Sequence, residues 1–220
     1  MSTKGVFRVE CPLCGESFDA DFWTVVRGDR DEKVKELIFS GEFDILMCPK
    51  CGGLFQHEES FLYLDPGKDL LAFVMPESYA PEKDKWIAKM RADYEPVRAP
   101  LAANHKLSGE PLWFFGLGPL AELLEGDRDR EEETEVVEFM AREAGLELLA
   151  VKPAVARELD LPFSLPVPKG LRNRAAALKA ARELLAKNDA LSRLKNLEAA
   201  LLAAKDDAVP FVKADEAASS

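Results

Sequence analysis

The feature that most constrains this chain is a motif written twice: Cys11-Pro12-Leu13-Cys14-Gly15 and Cys48-Pro49-Lys50-Cys51-Gly52. Two residues between thiolates let a tight turn present both sulfurs to one ion about 2.3 Å away, and two such turns complete a tetrahedron. The proline fixes φ inside each turn. The glycine after the second cysteine tolerates positive φ where the chain doubles back, which leaves backbone N–H groups free to point at sulfur. Lys50 is placed to offset some of the thiolate charge. The pattern points to one structural Zn2+ held by Cys11, Cys14, Cys48 and Cys51, because four cysteines close the sphere that a catalytic zinc leaves open to water. A redox dithiol and an iron centre share the signature and stay open at this level. Redox chemistry needs one pair at a helix N-terminus in a βαβ setting, and neither pair begins an obvious helix.

Between Cys14 and Cys48 lie 33 residues, more than the roughly 15 to 20 of a compact ribbon. Something folded must fill that gap. Phe18, Ala20, Phe22, Thr24 and Val26 alternate with Asp19, Asp21, Trp23 and Val25, the period of a half-buried strand. Asp29 or Asp31 can cap a short helix carrying Val34, Leu37 and Ile38, and Gly41 is placed to end it. Phe43–Met47 returns as a strand into the second knuckle, and 54–57, 61–64 and 70–74 read as further strands. Asp65-Pro66-Gly67-Lys68 suits a type II turn between the last two. The expected unit, residues 1–76, is a zinc-ribbon-like antiparallel sheet with one inserted helix, and the fold class is α+β.

These residues carry a resemblance. CPLCG, a following Phe-Trp, LIFSGEFDILMCPKCG and FLYLDPGKDLLAFVMP together resemble the CpXC domain family of bacteria over about 70 residues. The resemblance implies a zinc-ribbon-like domain with Cys11, Cys14, Cys48 and Cys51 as ligands, and it transfers no catalytic residue. A fainter likeness to longer members runs through Leu112 to Leu149 as strand, helix, acidic loop and helix.

Residues 77–168 read as a mixed α/β extension. A short helix is expected over Glu82–Met90, a strand over Pro111–Phe115, a helix from Pro119 through Leu124, and a strand over Leu146–Val151. Prolines 153, 162, 166 and 168 mark a connector. Gly116-Leu117-Gly118-Pro119-Leu120-Ala121 matches GxGxxA, but a dinucleotide site needs a βαβ unit and the next element reads as a helix. Glu131–Glu133 read as acids at a solvated helix start. Residues 169–205 form a basic amphipathic helix, or a hairpin split at Asn188-Asp189, and 206–220 a flexible tail.

Overall charge is -11, which argues against nucleic-acid binding through bulk electrostatics. The segment 169–205 reverses it, with 9 basic and 3 acidic side chains. Its leucine face is expected to meet a protein partner or a second copy, while Arg172, Arg174, Lys179, Arg182, Arg193 and Lys195 are the residues a nucleic-acid reading would use. The chain has two histidines, His57 and His105, and neither a GxSxG nor a P-loop motif. No stretch approaches the roughly 18 apolar residues of a membrane span, and the N-terminus lacks the apolar core of a signal peptide. A cytoplasmic, non-enzymatic, metal-binding interaction protein is the expectation.

Overall fold

The computed structural model describes residues 1–105, 107–205 and 211–212. The chain divides into two compact units, Met1–Leu123 and Leu124–Ser220.

The first unit is built on strands β1 (Thr3–Glu10) and β2 (Ser17–Arg27), helix α1 (Glu32–Ser40), the short strands β3 (Ile45–Met47) and β4 (Leu54–Gln56), strands β5 (Phe61–Asp65) and β6 (Leu70–Met75), helix α2 (Lys83–His105) and strand β7 (Leu112–Phe115). Five strands form one sheet in the order β1-β2-β5-β6-β7, and β3-β4 is a separate hairpin. The α+β class holds. The sheet, however, is mixed rather than antiparallel: β2 runs parallel to β5 and β6 parallel to β7. That explains the long gap between the cysteine pairs. A parallel neighbour cannot be reached through a tight turn and needs a crossover of a dozen residues or more. The crossover from β2 to β5 carries α1 and the β3-β4 hairpin, and with it the second knuckle.

The expected alternation in β2 holds, with Phe22 and Val26 buried and Asp19 and Asp21 exposed. Strands β5 and β6 are buried along nearly their whole length, as the interior strands of a covered sheet should be. Tyr63 is fully buried, and a Cβ at Gly28 would stand 2.0 Å from its hydroxyl oxygen, so only glycine fits there. Gly41 ends α1 in the left-handed conformation, with its own N–H on the Ile38 carbonyl and that of Glu42 on Leu37. Asp31 precedes the helix without capping it; its carboxylate instead accepts the Ser2 N–H at 2.7 Å.

Two local expectations are corrected. The β5-β6 turn is a 3-10 turn over Pro66–Lys68, with the Asp65 carboxylate accepting the Lys68 N–H at 3.3 Å. Its left-handed residue is Asp69 rather than Gly67. Asp69 tolerates this because its carboxylate is anchored by the N–H groups of Ser108 at 2.7 Å and Gly109 at 3.3 Å. The helix expected to stop at Met90 runs to His105 through Pro96 and Pro100. Both prolines are exposed, where carbonyls that lose a donor can be hydrated. It covers the sheet through Tyr94, which meets Phe73 edge-on.

Helix α3 (Gly118–Glu143) leads into the second unit, which adds strand β8 (Leu146–Ala150), helix α4 (Pro153–Glu158), strand β9 (Ser164–Pro168) and helices α5 (Arg174–Lys187) and α6 (Ser192–Ala203). The expected acidic loop is helical: Asp127 and Arg130 pair at 2.9 Å one turn apart and are both buried. Glu131–Glu133 therefore lie inside a helix, not at its start. Residues 153–168 are α4 and β9 rather than a connector. Pro166 and Pro168 are tolerated because β9 pairs with β8 alone.

The basic segment forms two helices, as Asn188-Asp189 suggested. Their buried leucines, Leu184, Leu194, Leu197 and Leu201, join Leu149, Val167 and others in one core. The tail expected over 206–220 lies outside the described residues except at Phe211 and Val212; Val212 bridges Val151. Among the described residues no helix is long and apolar enough to cross a membrane.

Candidate metal centre

The two knuckles fold alike. In the first, the Cys11 N–H reaches the Glu16 carbonyl at 2.8 Å and the Gly15 N–H the Cys11 carbonyl at 2.9 Å. In the second, the Cys48 N–H reaches Gly53 at 2.9 Å and the Gly52 N–H reaches Cys48 at 3.0 Å. Gly15 and Gly52 take φ of 68° and 69°, the conformation expected of a glycine that closes such a turn. The first cysteine of each pair is buried and the second exposed.

The first knuckle is the turn between β1 and β2, and the second is the turn between β3 and β4, so the fold brings two hairpin ends together. All four sulfurs lie within 4.8 Å of one another. Across the knuckles, Cys14 Sγ stands 3.7 Å from Cys48 Sγ, and Cys11 Sγ 3.9 Å from Cys51 Sγ. These separations exclude bonded sulfurs, which sit about 2.05 Å apart. The four cysteines are positioned to hold a metal ion, and among the described residues no other group of three or more His, Cys, Asp or Glu side chains is.

Cys48 and Cys14 are shifted in opposite directions. Cys48 is drawn down to about 7, first by the Cys51 backbone N–H; burial opposes this, and the Lys50 N–H and neighbouring thiols add to it. At Cys14 the Glu16 N–H also pulls downward, but burial and the other three thiols outweigh it and push the thiol up to about 12. Four thiolates together need a compensating cation. Lys50 does not serve mainly in that role, since its Nζ bonds the Glu16 carboxylate at 2.8 Å, a bridge between the two knuckles. That pair depresses the Glu16 carboxyl and raises Lys50.

Sequence reasoning missed the Lys50–Glu16 bridge, because Lys50 lies inside the second knuckle and Glu16 just after the first, at positions that do not correspond. It also missed the apolar rim. Leu13, Met47 and Leu54 are 63%, 65% and 67% exposed around the cluster. Met47 and Leu54 face each other across the hairpin, and a Cβ at Gly53 would stand 2.3 Å from Leu13 Cδ1. The edge-on contact of Phe18 with Phe55, at 6.3 Å, joins the hairpin to β2.

The remaining candidates are ordinary. Asp19 pairs with Arg8 on the solvent side of the sheet. His57 pairs with Glu59 at 3.2 Å and packs against Phe22. The GxGxxA stretch does form strand, turn and helix, but the strand that follows α3 belongs to a different sheet, so the stretch does not open a βαβ unit. Glu133 accepts the N–H groups of Arg193 at 2.7 Å and Leu194 at 3.0 Å, capping α6, whose own N-cap residue is Leu191.

No curated protein and no solved structure matches the chain. A family model described as CpXC protein matches residues 9–113, a span that begins just before the first knuckle, contains both, and reaches β7. Residues 9–113, just under half of the chain, are therefore identified as a CpXC domain.

Proposed function

We propose that Cys11, Cys14, Cys48 and Cys51 hold one Zn2+ in a closed structural site, and that the chain is a zinc-stabilised interaction protein rather than an enzyme. The sulfur geometry carries this reading. Bonds of about 2.3 Å to a central zinc make a tetrahedron with edges of about 3.8 Å, against the 3.7 and 3.9 Å found across the knuckles. When bound, the ion supplies the positive charge that four thiolates need, and with four sulfurs it has no vacant position for water. The cysteines then tie the β3-β4 hairpin to the β1-β2 turn. Four unpaired thiols favour a reducing compartment, which supports a cytoplasmic location.

The partner surface is assigned to the outer sides of α5 and α6. Most of their leucines are used in the core, which leaves exposed Leu202 with Lys179 and Lys195. The nucleic-acid reading is weaker, because the segment's arginines are engaged within the protein. Arg174 bonds the Leu201 carbonyl, Arg182 pairs with Glu198, Arg193 pairs with Glu133 and Asp160, and Arg172 is also engaged.

Elemental analysis of chain purified without chelators, with thiol titration before and after unfolding, tests the reading. One zinc per chain with thiols unreactive until unfolding is expected. Bound iron, or no metal with two thiols reactive in the folded protein, would replace it with an iron centre or a thiol redox enzyme. Sedimentation of the full chain against Leu202→Glu tests the helical surface, and identical behaviour at all concentrations would remove self-association from the proposal.

A further inference from the structure

Strand β1 (Thr3–Glu10) closes one side of the five-stranded sheet, with β2 as its neighbour. The bond from the Cys11 N–H to the Glu16 carbonyl fixes which of its groups meet β2. In an antiparallel ladder bonded and non-bonded residues alternate, so at the register Val9↔Phe18 and Phe7↔Ala20 the odd-numbered residues bond β2. The N–H and C=O groups of Lys4, Val6, Arg8 and Glu10 therefore point away from the sheet. Among the described residues no hydrogen bond from another element reaches them.

An open edge is ordinarily protected by a proline, a bulge in mid-strand or a charged side chain turned inward. Strand β1 has none of these. Its inward side chains are Gly5, Phe7 and Val9, and its one irregularity falls between Thr3 and Lys4, at its start. On the outer face Val6 is 69% exposed. The charges toward the two ends of the strand also lack an opposite charge. Among the described residues Glu10 forms no ion pair, and Lys4 lies over the Trp23 ring at 4.5 Å, whereas Arg8 is engaged with Asp19.

We propose that β1 pairs antiparallel with β1 of a second copy of this chain, extending the sheet across a two-fold axis at Phe7. Outward groups must meet outward groups, so even-numbered residues face even-numbered ones. That excludes a slip of one residue, and charge selects among the registers that are left. With Phe7 on the axis, Lys4 stands opposite the partner's Glu10 and Glu10 opposite the partner's Lys4. With Val6 on the axis, Lys4 would face the partner's Arg8, and with Arg8 on the axis the two arginines would face each other. Like charges directly opposite destabilise a strand pair, and opposite charges stabilise it. The chosen register also sets the half-buried Phe7, edge-on to Phe22 at 5.7 Å, against the partner's Phe7. One strand a side makes a small interface, so the dimer is a weak one. It uses neither the outer sides of α5 and α6 nor the cysteine side chains.

Sedimentation of the full, metal-replete chain from micromolar to millimolar concentration, with residue-resolved amide exchange at both ends of that range, tests this. A monomer–dimer equilibrium is expected, in which the amides of Lys4, Val6, Arg8 and Glu10 gain protection only in the dimer while those of Gly5, Phe7 and Val9 are protected in both states. Val6→Pro removes an outward N–H that the monomer does not use and should weaken the dimer at least about tenfold. Glu10→Lys should weaken it about fivefold, and adding Lys4→Glu to that variant should restore it, with metal content unchanged. If Val6→Pro fails to fold, the charge swap alone decides: restoration supports the pairing and its absence overturns it. The proposal is also overturned by a monomer at millimolar concentration, by a dimer that gains no protection at the even-numbered amides, or by a dimer that Leu202→Glu dissociates while Val6→Pro and Glu10→Lys leave it intact.

Discussion

The β3-β4 hairpin and the α5-α6 helix pair are both small antiparallel elements, and they are held by opposite means. The helix pair buries Leu184, Leu194, Leu197 and Leu201 completely. The hairpin has strands of three residues each and turns Ile45, Met47 and Leu54 toward solvent. An isolated two-stranded hairpin is marginal in water, so this one relies on its connections: the cysteine cluster, the Lys50–Glu16 bridge and the Phe18–Phe55 contact. Where burial is available the fold uses it. Where the strands are too short for that, the four cysteines are positioned to supply a cross-link through a metal ion.

The comparison breaks most visibly when the cross-link is removed. Cys48→Ser, or chelation of the metal, is expected to have the largest effect, since structural zinc contributes about 10–16 kcal/mol in isolated zinc-finger peptides. Hydrogen exchange on the full chain should show residues 45–56 losing at least a hundredfold protection while α5 and α6 keep theirs. Equal loss in both would mean that the two elements are not stabilised separately.

The converse change is Leu197→Ala in the helical core, with an expected cost of about 2–5 kcal/mol. Denaturant unfolding reads that loss, and metal stoichiometry should not change. Loss of metal from this variant would couple the two regions and contradict the contrast drawn here.

A smaller effect lies at the base of the hairpin. Burial, and after it the charges of Glu58 and Glu59, raise the Asp44 carboxyl. It keeps in the folded protein a proton that the unfolded chain releases above its ordinary value of 3.8, so this contribution is fully present below that pH and is lost as pH rises toward about 7. At about 1.4 kcal/mol per pH unit the upper bound is roughly 4 kcal/mol, and partial hydration brings the expected figure to about 2. Asp44→Asn should flatten the pH dependence of melting between pH 4 and 7 and raise stability at neutral pH. An unchanged slope would show that Asp44 is not the titrating group.

The smallest expected effect is that of Glu133→Ala. It removes the acceptor for the first N–H groups of α6 and should cost about 1–2 kcal/mol by thermal unfolding. A cost below a few tenths would show that water caps the helix equally well.

The same contrast decides what was legible in the sequence. The knuckles could be read because proline and glycine at fixed offsets from cysteine act locally, and Gly15 and Gly52 adopt the conformation their positions require. Helix α1 and its end at Gly41 were legible for the same reason. Sheet direction was not, because nothing local distinguishes a strand whose neighbour is reached by a hairpin from one reached by a crossover. The helix expected over Glu82–Met90 continues through Pro96 and Pro100, whose exposure in the fold the local sequence does not announce. The acid-rich run of α3 read as a loop because the pairing of Asp127 with Arg130 and Arg157 needs a buried setting. Glu133 read as a solvated acid because the helix that it caps lies about 60 residues further along the chain. Asp44 carries no sequence signal at all; its burial follows from the packing of the hairpin base.

The central claim is that one ion sits among four sulfurs. X-ray absorption at the zinc edge on the purified full chain tests it most directly. The account predicts a single shell of four sulfurs at about 2.3 Å. A shell containing nitrogen or oxygen at about 2.0–2.1 Å, or no zinc at all, would contradict it.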